Sequence, residues 1–156
     1  MTGISGTLLA GRLRALRARH GYTQQAVAEQ SRLDYKYYQR IEGKRPPNLT
    51  LGSLERLALV FGLGVADLLQ RPPLPTASCA RDAGSERSIQ RRLAKRLRTL
   101  RRRAGWTPAE LAARAGLTPR RITQAEDPAS TLSVPLGLLE KLADAFGLSL
   151  SQLLDV

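Results

Sequence analysis

The chain has 156 residues, 42% apolar and 24% charged, which is ordinary globular composition with room for one medium domain or two small ones. Its net charge of +12 and pI near 11.1 favour a polyanionic partner, and aromatics at 4% leave a core of Leu, Ala, Val and Ile. No apolar run approaches the ~20 residues that span a bilayer, Met1 to Gly11 lacks the cationic start of a signal peptide, and the single Cys79 closes no internal disulfide, which fits a reducing cytoplasm.

Met1 to Gly6 is a short lead-in. Thr7 to Arg19 reads as an amphipathic helix, with Leu9, Leu13 and Leu16 at i, i+4, i+7 spacing, Arg12, Arg14, Arg17 and Arg19 around them, and Gly21 as the stop. Thr23 is a good N-cap for a second helix, Gln24 to about Gln30. Ser31-Arg32-Leu33 is a turn, and Asp34 caps a third helix, Tyr35 to about Glu42, stopped by Gly43. Ala28, Leu33, Tyr38 and Ile41 fall on a shared inner face, leaving Tyr35, Lys36, Gln39 and Arg40 outside. Arg45-Pro46-Pro47-Asn48 is a loop whose prolines forbid continuation of the helix. A fourth helix starts at Thr50 or Leu51, with Leu54, Leu57, Ala58 and Phe61 inward, and Val65 to Gln70 is a short fifth.

Arg71 to about Ser88 reads as a Pro/Ser/Ala-rich linker, stiff at Pro72, Pro73 and Pro75 and looser at its end. Fully extended, such a segment reaches roughly 60 Å. Beyond it the chain repeats itself. At a shift of 84, Gly11 to Thr23 lies over Lys95 to Thr107, with Arg12, Leu13, Arg14, Leu16, Arg17, Arg19, Gly21 and Thr23 all matched by identical residues. After one inserted residue, at a shift of 85, Leu54 to Leu63 lies over Leu139 to Leu148. The second copy opens with a longer helix, about Glu86 to Ala104, striped by Leu93, Leu97 and Leu100. Lys or Arg fills eight of its thirteen positions from Arg91 to Arg103, a solvated cationic face or a set of extra phosphate contacts. Thr107-Pro108 and Thr118-Pro119 are cap and N1 pairs for the next two helices, and Gly116 supplies the turn between them. Ile122 faces inward there, with Arg120, Arg121, Thr123 and Gln124 outside. Both copies are basic: Met1–Gln70 holds 10 Lys and Arg against 5 Asp and Glu, and Gln90–Val156 holds 12 against 6.

The stretch from Thr23 to Lys44, with its capping Thr and Gln, Ala in mid-helix, a turn and Ile41-Glu42-Gly43-Lys44 at the close, resembles the helix-turn-helix of phage-repressor and Cro-type (Xre-like) DNA-binding domains. The resemblance extends over Leu8 to Leu69 and recurs in the second copy. It implies a phosphate contact at Gln24, with Thr23 and Gln25 beside it, where backbone N–H groups and an amide donor converge. It also implies base reading from the positions of Tyr35, Lys36 and Arg40, and internal salt bridges Arg17–Glu42 and Arg101–Glu126. By their chemistry Lys36 and Arg40 donate to guanine, Gln39 suits adenine, and Tyr35 suits a phosphate or a thymine methyl. Tyr37 is either core or DNA-facing; Lys44 and Arg45 suit backbone contacts, and Arg32, in a turn that usually holds a small residue, reaches a phosphate. In the second copy Arg120 suits guanine and Gln124 suits adenine, Arg121 and Thr123 lie beside them, and Pro108 removes the amide donor present at Gln24. Asp127-Pro128-Ala129-Ser130 replaces Gly43-Lys44-Arg45-Pro46, so two cations give way to an anion. Tyr22 and Trp106 are expected in the core, and His20 is expected to be neither ligand nor base.

The expected fold is all-α: two tandem five-helix lambda-repressor-like helix-turn-helix domains, residues 1–70 and 89–156, joined by a linker over 71–88. The expected function is a cytoplasmic, sequence-specific regulator of transcription, repressor or activator, with a Cro/C1-type helix-turn-helix like that of the phage repressors, that binds double-stranded DNA through recognition helices in the major groove. One His and one Cys leave almost no side chains for a metal site or a nucleophile–base pair, so no enzyme activity, cofactor or metal is expected. The partner list is double-stranded DNA, a second copy in a homodimer, and a protein held by the second domain, with no membrane. Two other readings stand beside it: an antitoxin-like adaptor tethered to DNA by the first domain, and a non-specific architectural DNA binder.

Overall fold

The computed structural model describes residues 6–43, 47–69, 86–130 and 134–154. Among these residues there are ten helices and no strand, so the all-α expectation holds. The helices fall into two compact units. The first holds α1 (Gly6–Arg19), α2 (Gln24–Gln30), α3 (Tyr35–Ile41), α4 (Leu51–Val60) and α5 (Val65–Leu69). The second holds α6 (Glu86–Arg103), α7 (Pro108–Ala115), α8 (Pro119–Ala125), α9 (Leu136–Phe146) and α10 (Leu150–Leu154). α6 begins at Glu86, three residues before the expected start of the second domain. Cys79 lies outside the described residues.

In each unit the first helix lays one apolar stripe across the others. Leu9 and Leu13 of α1 are fully buried with Val27 of α2, Tyr38 and Ile41 of α3, Leu54 and Leu57 of α4 and Leu68 of α5. Leu93 and Leu97 of α6 do the same with Leu111, Ile122, Leu139, Leu142 and Leu153. Burying one such leucine is worth roughly 2 kcal/mol, so these stripes outweigh the weak intrinsic stability of helices as short as five residues.

Several inner-face expectations need correction. Leu33 is only half-buried, because it sits in the turn between α2 and α3 rather than on either helix, tied by its N–H to the Ala28 carbonyl at 2.9 Å. Leu100, matched to the buried Leu16, is also half-buried. Tyr22 and Trp106 are half-buried at the rim rather than in the core. There Tyr22 stacks on His20 at 5.6 Å, and Trp106 stacks on Phe146 at 5.6 Å with the Arg114 guanidinium 4.4 Å from its ring centroid.

The caps follow the sequence with one exception. Thr23, Asp34 and Thr50 accept from the N–H three residues on, and Thr107 forms a reciprocal capping box with Glu110. Thr118 has the extended backbone of a cap but makes no side-chain cap bond. The N–H of Arg121, which a capping hydroxyl would take, donates instead to the Thr118 carbonyl at 3.0 Å.

The turn before α3 carries strain in one copy only. Arg32 has φ 52°, the left-handed region, and is the one non-glycine residue there among those described. Gly116 holds the matching position with φ 61° and takes it without steric cost. A side chain in this region costs about 1 kcal/mol. Replacing Arg32→Gly is expected to stabilise the first unit by about 1 kcal/mol, and Gly116→Ala to weaken the second by a similar amount. All four tyrosines lie in the first copy and the one tryptophan in the second. Urea melts followed by tyrosine absorbance and by Trp106 fluorescence therefore separate the two effects.

Candidate nucleic-acid interface

The geometry of α3 is set from behind by one carboxylate. Glu42, the C-cap of α3, has a side chain only 1% exposed. Arg17 Nε of α1 donates to its Oε1 at 2.8 Å and Arg17 Nη2 donates to its Oε2 at 3.1 Å. Tyr38 Oη donates to Oε1 at 2.6 Å, and Gln24 Nε2 to Oε2 at 2.8 Å. The third guanidinium nitrogen of Arg17 donates to the Tyr22 carbonyl at 3.2 Å. One buried anion thus joins α1, the start of α2 and the end of α3. Burial alone raises the pKa of Glu42, but the hydrogen bonds from Arg17, Tyr38 and Gln24 more than offset it and hold the group below its ordinary value. Desolvation, with the bond to Glu42, pushes the Tyr38 phenol far up, so it remains a donor.

With Tyr38 and Ile41 held inward, the other face of α3 is open. Tyr35, Lys36, Gln39 and Arg40 are exposed, Tyr35 by 44%. Tyr37 is half-buried, and its N–H is the one that Asp34 caps, at 3.0 Å. Gln39 Nε2 donates to Tyr35 Oη at 2.8 Å, so the amide is held at one end while its oxygen and second N–H remain available. At the start of α2, Thr23 and Gln25 are exposed; the Thr23 hydroxyl caps Ala26 and Gln25 donates to Glu29 at 3.0 Å. Gln24 commits one amide hydrogen to Glu42, which leaves one. Arg32 is exposed. Lys44 and Arg45 lie outside the described residues.

The second copy keeps the clamp and loses its accessories. Arg101 Nε and Nη2 donate to Glu126 at 2.6 and 2.8 Å, and Nη1 donates to the Trp106 carbonyl at 2.8 Å. The positions of Gln24 and Tyr38 hold Pro108 and Ile122, whose side chains have no donor. On α8, Arg120 and Arg121 are exposed, Gln124 is half-buried, and the Thr123 hydroxyl donates to the Pro119 carbonyl at 3.1 Å. That spends the only proton of Thr123, so Thr123 can accept but not donate.

The first turn of α7 also differs in charge. Glu110 turns back so that the Thr107 N–H donates to its Oε2 at 2.6 Å. That hydrogen bond lowers its pKa, so a carboxylate sits at the positive end of α7. The matching residue of the first copy is Ala26. The Thr-x-x-Glu spacing of Thr107 and Glu110 was a visible signal for this box. Nothing in the sequence marked the donation from Gln24 and Tyr38 to Glu42, which depends on how three helices meet.

A family model described as a helix-turn-helix domain matches residues 8–70 and again residues 92–155. No curated protein and no solved structure matches the chain.

The two clamps differ in donor count, and so should their sensitivity. Replacing Glu42→Gln is expected to cost about 3 kcal/mol, since it leaves Arg17 without its partner and Tyr38 with a poorer acceptor. Glu126→Gln should cost about half as much. Because the folded pKa of Glu42 is depressed, its contribution is fully present above the ordinary value of 4.5 and is lost as pH falls through the lower folded value. Acid melts should therefore show the first unit of the native chain losing stability below that pH. An equally acid-sensitive E42Q variant would contradict the assignment.

Proposed function

From its membership of the helix-turn-helix domain family, to which the chain belongs in both repeats, we propose a sequence-specific regulator of transcription of the phage-repressor and Cro type. It reads double-stranded DNA with α3 in the major groove. The observation that carries the reading is the outer face of α3. Lys36, Gln39 and Arg40, with base-reading chemistry, stand exposed together beside Tyr35, while Tyr38, Ile41 and the Arg17–Glu42 clamp fix the helix from behind. A major groove accepts such a helix.

Roles follow from donor and acceptor chemistry. Lys36 and Arg40 donate to guanine O6 and N7. Gln39, with one carbonyl oxygen and one N–H left over, matches the N6 and N7 edge of adenine, and Tyr35 is its positioning residue. Thr23, Gln24, Gln25 and Arg32 meet phosphates, and Lys44 and Arg45 fall in the segment that follows the recognition helix. In the second domain Arg120 and Arg121 face outward, with Thr123 and Gln124 reduced in reach. Its usual phosphate-facing helix end carries Glu110, and Asp127 follows α8. The first domain, residues 1–70, therefore carries most of the sequence reading, and the second, 89–156, reads weakly in the usual pose.

The test is selection of bound duplexes from a random pool at about 150 mM salt, where non-specific contacts are weakened. The expected outcome is an enriched motif containing G and A positions. Replacing Lys36 or Arg40 with Ala should reduce affinity for it by about 10- to 100-fold. Tyr35→Phe should relax only the A position, and charge reversal at Arg120 and Arg121 should leave the motif unchanged. Binding without any enriched motif would replace this reading with the architectural one.

A further inference from the structure

We propose that the outer face of α6 is a second nucleic-acid surface, which binds the phosphate backbone of a duplex independently of any recognition helix. It rests on the regulatory reading of the first domain, which supplies the DNA site on which it is measured.

The cationic run of α6 sorts into two groups once side chains are placed. Some cations are structural: Arg101 holds Glu126, and Arg96 Nη2 donates to the Gln152 carbonyl at 2.8 Å. Others form a row. Arg91, Lys95, Arg98 and Arg102 follow one another at spacings of four, three and four, which places them on one line along the helix. All four are exposed. At 1.5 Å per residue the row is about 16 Å long. No acidic residue occurs between Ile89 and Arg103, and no described carboxylate pairs with any of the four.

A merely solvated face does not account for the row. Like charges at i, i+4 destabilise a helix, and soluble helices ordinarily intersperse Glu with Lys and Arg. The sister helix shows what the fold itself requires. The matching positions of α1 are Thr7, Gly11, Arg14 and Ala18, so the same scaffold is built with one cation in place of four.

A second observation points the same way. The end of the second domain that would meet phosphates in the usual pose is closed by the Glu110 carboxylate and by Pro108, which has no N–H. Eight of the twelve Lys and Arg residues from Gln90 onward lie instead on α6. A straight row of flexible cations suits one DNA strand, which presents a phosphate about every 3.4 Å of axis, and such contacts carry no sequence information. Insertion into a bilayer is opposed by the packing: Leu93 and Ala94 are 0% exposed and Leu97 is 1% exposed, so the apolar side of α6 is already used.

The test uses the full chain and two duplexes, the one selected by the native protein and a scrambled one, titrated from 50 to 300 mM salt. The variant is R91Q/K95Q/R98Q/R102Q. Each phosphate contact contributes about 0.9 to the slope of log affinity against log salt. The variant should therefore flatten the slope by about 3 to 4 and weaken both duplexes about equally, at least tenfold at 150 mM. The charge-keeping variant R91K/R98K/R102K should retain native binding. Far-UV circular dichroism and Trp106 fluorescence check that the second domain is folded. If the quadruple variant is not, the pairs R91Q/K95Q and R98Q/R102Q should each give about half the change. An unchanged slope in a folded variant overturns the inference. So does a row needed only for binding to phosphatidylserine vesicles, which would make it a membrane-surface contact. A native chain that binds neither duplex defeats the regulatory reading itself, a result distinct from both.

Discussion

The first domain depends on a buried carboxylate. Glu42 receives four hydrogen bonds from three side chains on three helices. Two of the three helices it joins, α2 and α3, are too short to be stable alone, with seven residues each. Hydrophobic burial brings them together without direction, since any leucine contact of the right volume serves. The carboxylate supplies what burial lacks, a fixed angle. A guanidinium fork meeting a carboxylate edge on constrains the rotation of α3 about its own axis. That rotation decides which residues face outward. If Tyr38 turned away from Glu42, its buried hydroxyl would lose its acceptor, and Lys36 and Arg40 would swing off the open face.

The two copies separate what the fold needs from what each domain uses. Arg17 and Glu42 recur as Arg101 and Glu126 with the same geometry, down to the third guanidinium nitrogen on the carbonyl of Tyr22 or Trp106. The leucine stripes recur too. The outer faces do not. Lys36, Gln39 and Arg40 become Arg120, Thr123 and Gln124, and Thr7, Gly11 and Ala18 become Arg91, Lys95 and Arg102. One chain therefore serves as its own control. A difference between copies at a core position reports on stability, as Tyr38 against Ile122 does. A difference on an exposed helix face that forms no cap and no turn, as Lys95 against Gly11, lies outside the packed core.

Much of this was legible in the sequence because it rests on local chemistry. The caps at Thr23, Asp34, Thr50 and Thr107 need only a short polar side chain and the next turn of helix. The stripes of Leu9, Leu13 and Leu16 and of Leu93 and Leu97 follow from helical periodicity, and the repeat from direct comparison. The failures lie where a residue answers to a distant neighbour or to a backbone angle. Leu33 looks like core by spacing but stands in a turn. Thr118 looks like a cap but its target N–H is taken by a carbonyl. Gln24 and Gln39 read as free amides, yet each gives a hydrogen bond to a side chain in its own domain. The left-handed backbone of Arg32 is hidden by its identity and revealed by Gly116 at the equivalent place.

On the function proposed above, these placements would divide affinity from specificity along the chain. On α3 the reading groups are few and held: Gln39 by Tyr35, and the helix by Glu42. Restricted groups discriminate among bases because a wrong edge leaves a donor or acceptor unpaired. On α6 the exposed cations are many, flexible and unpaired by any described carboxylate. Such groups accept a phosphate in many geometries, which gives attraction with little discrimination. A domain whose helix end is blocked by its own Glu110 gains little from a precise recognition helix, but it loses nothing as a source of non-specific attraction. Joined to the first domain, it would on that reading keep α3 near the duplex. Removing charge from α6 and removing contacts from α3 thus weaken binding by different routes, one uniform across sequences and salt-dependent, the other confined to the preferred site.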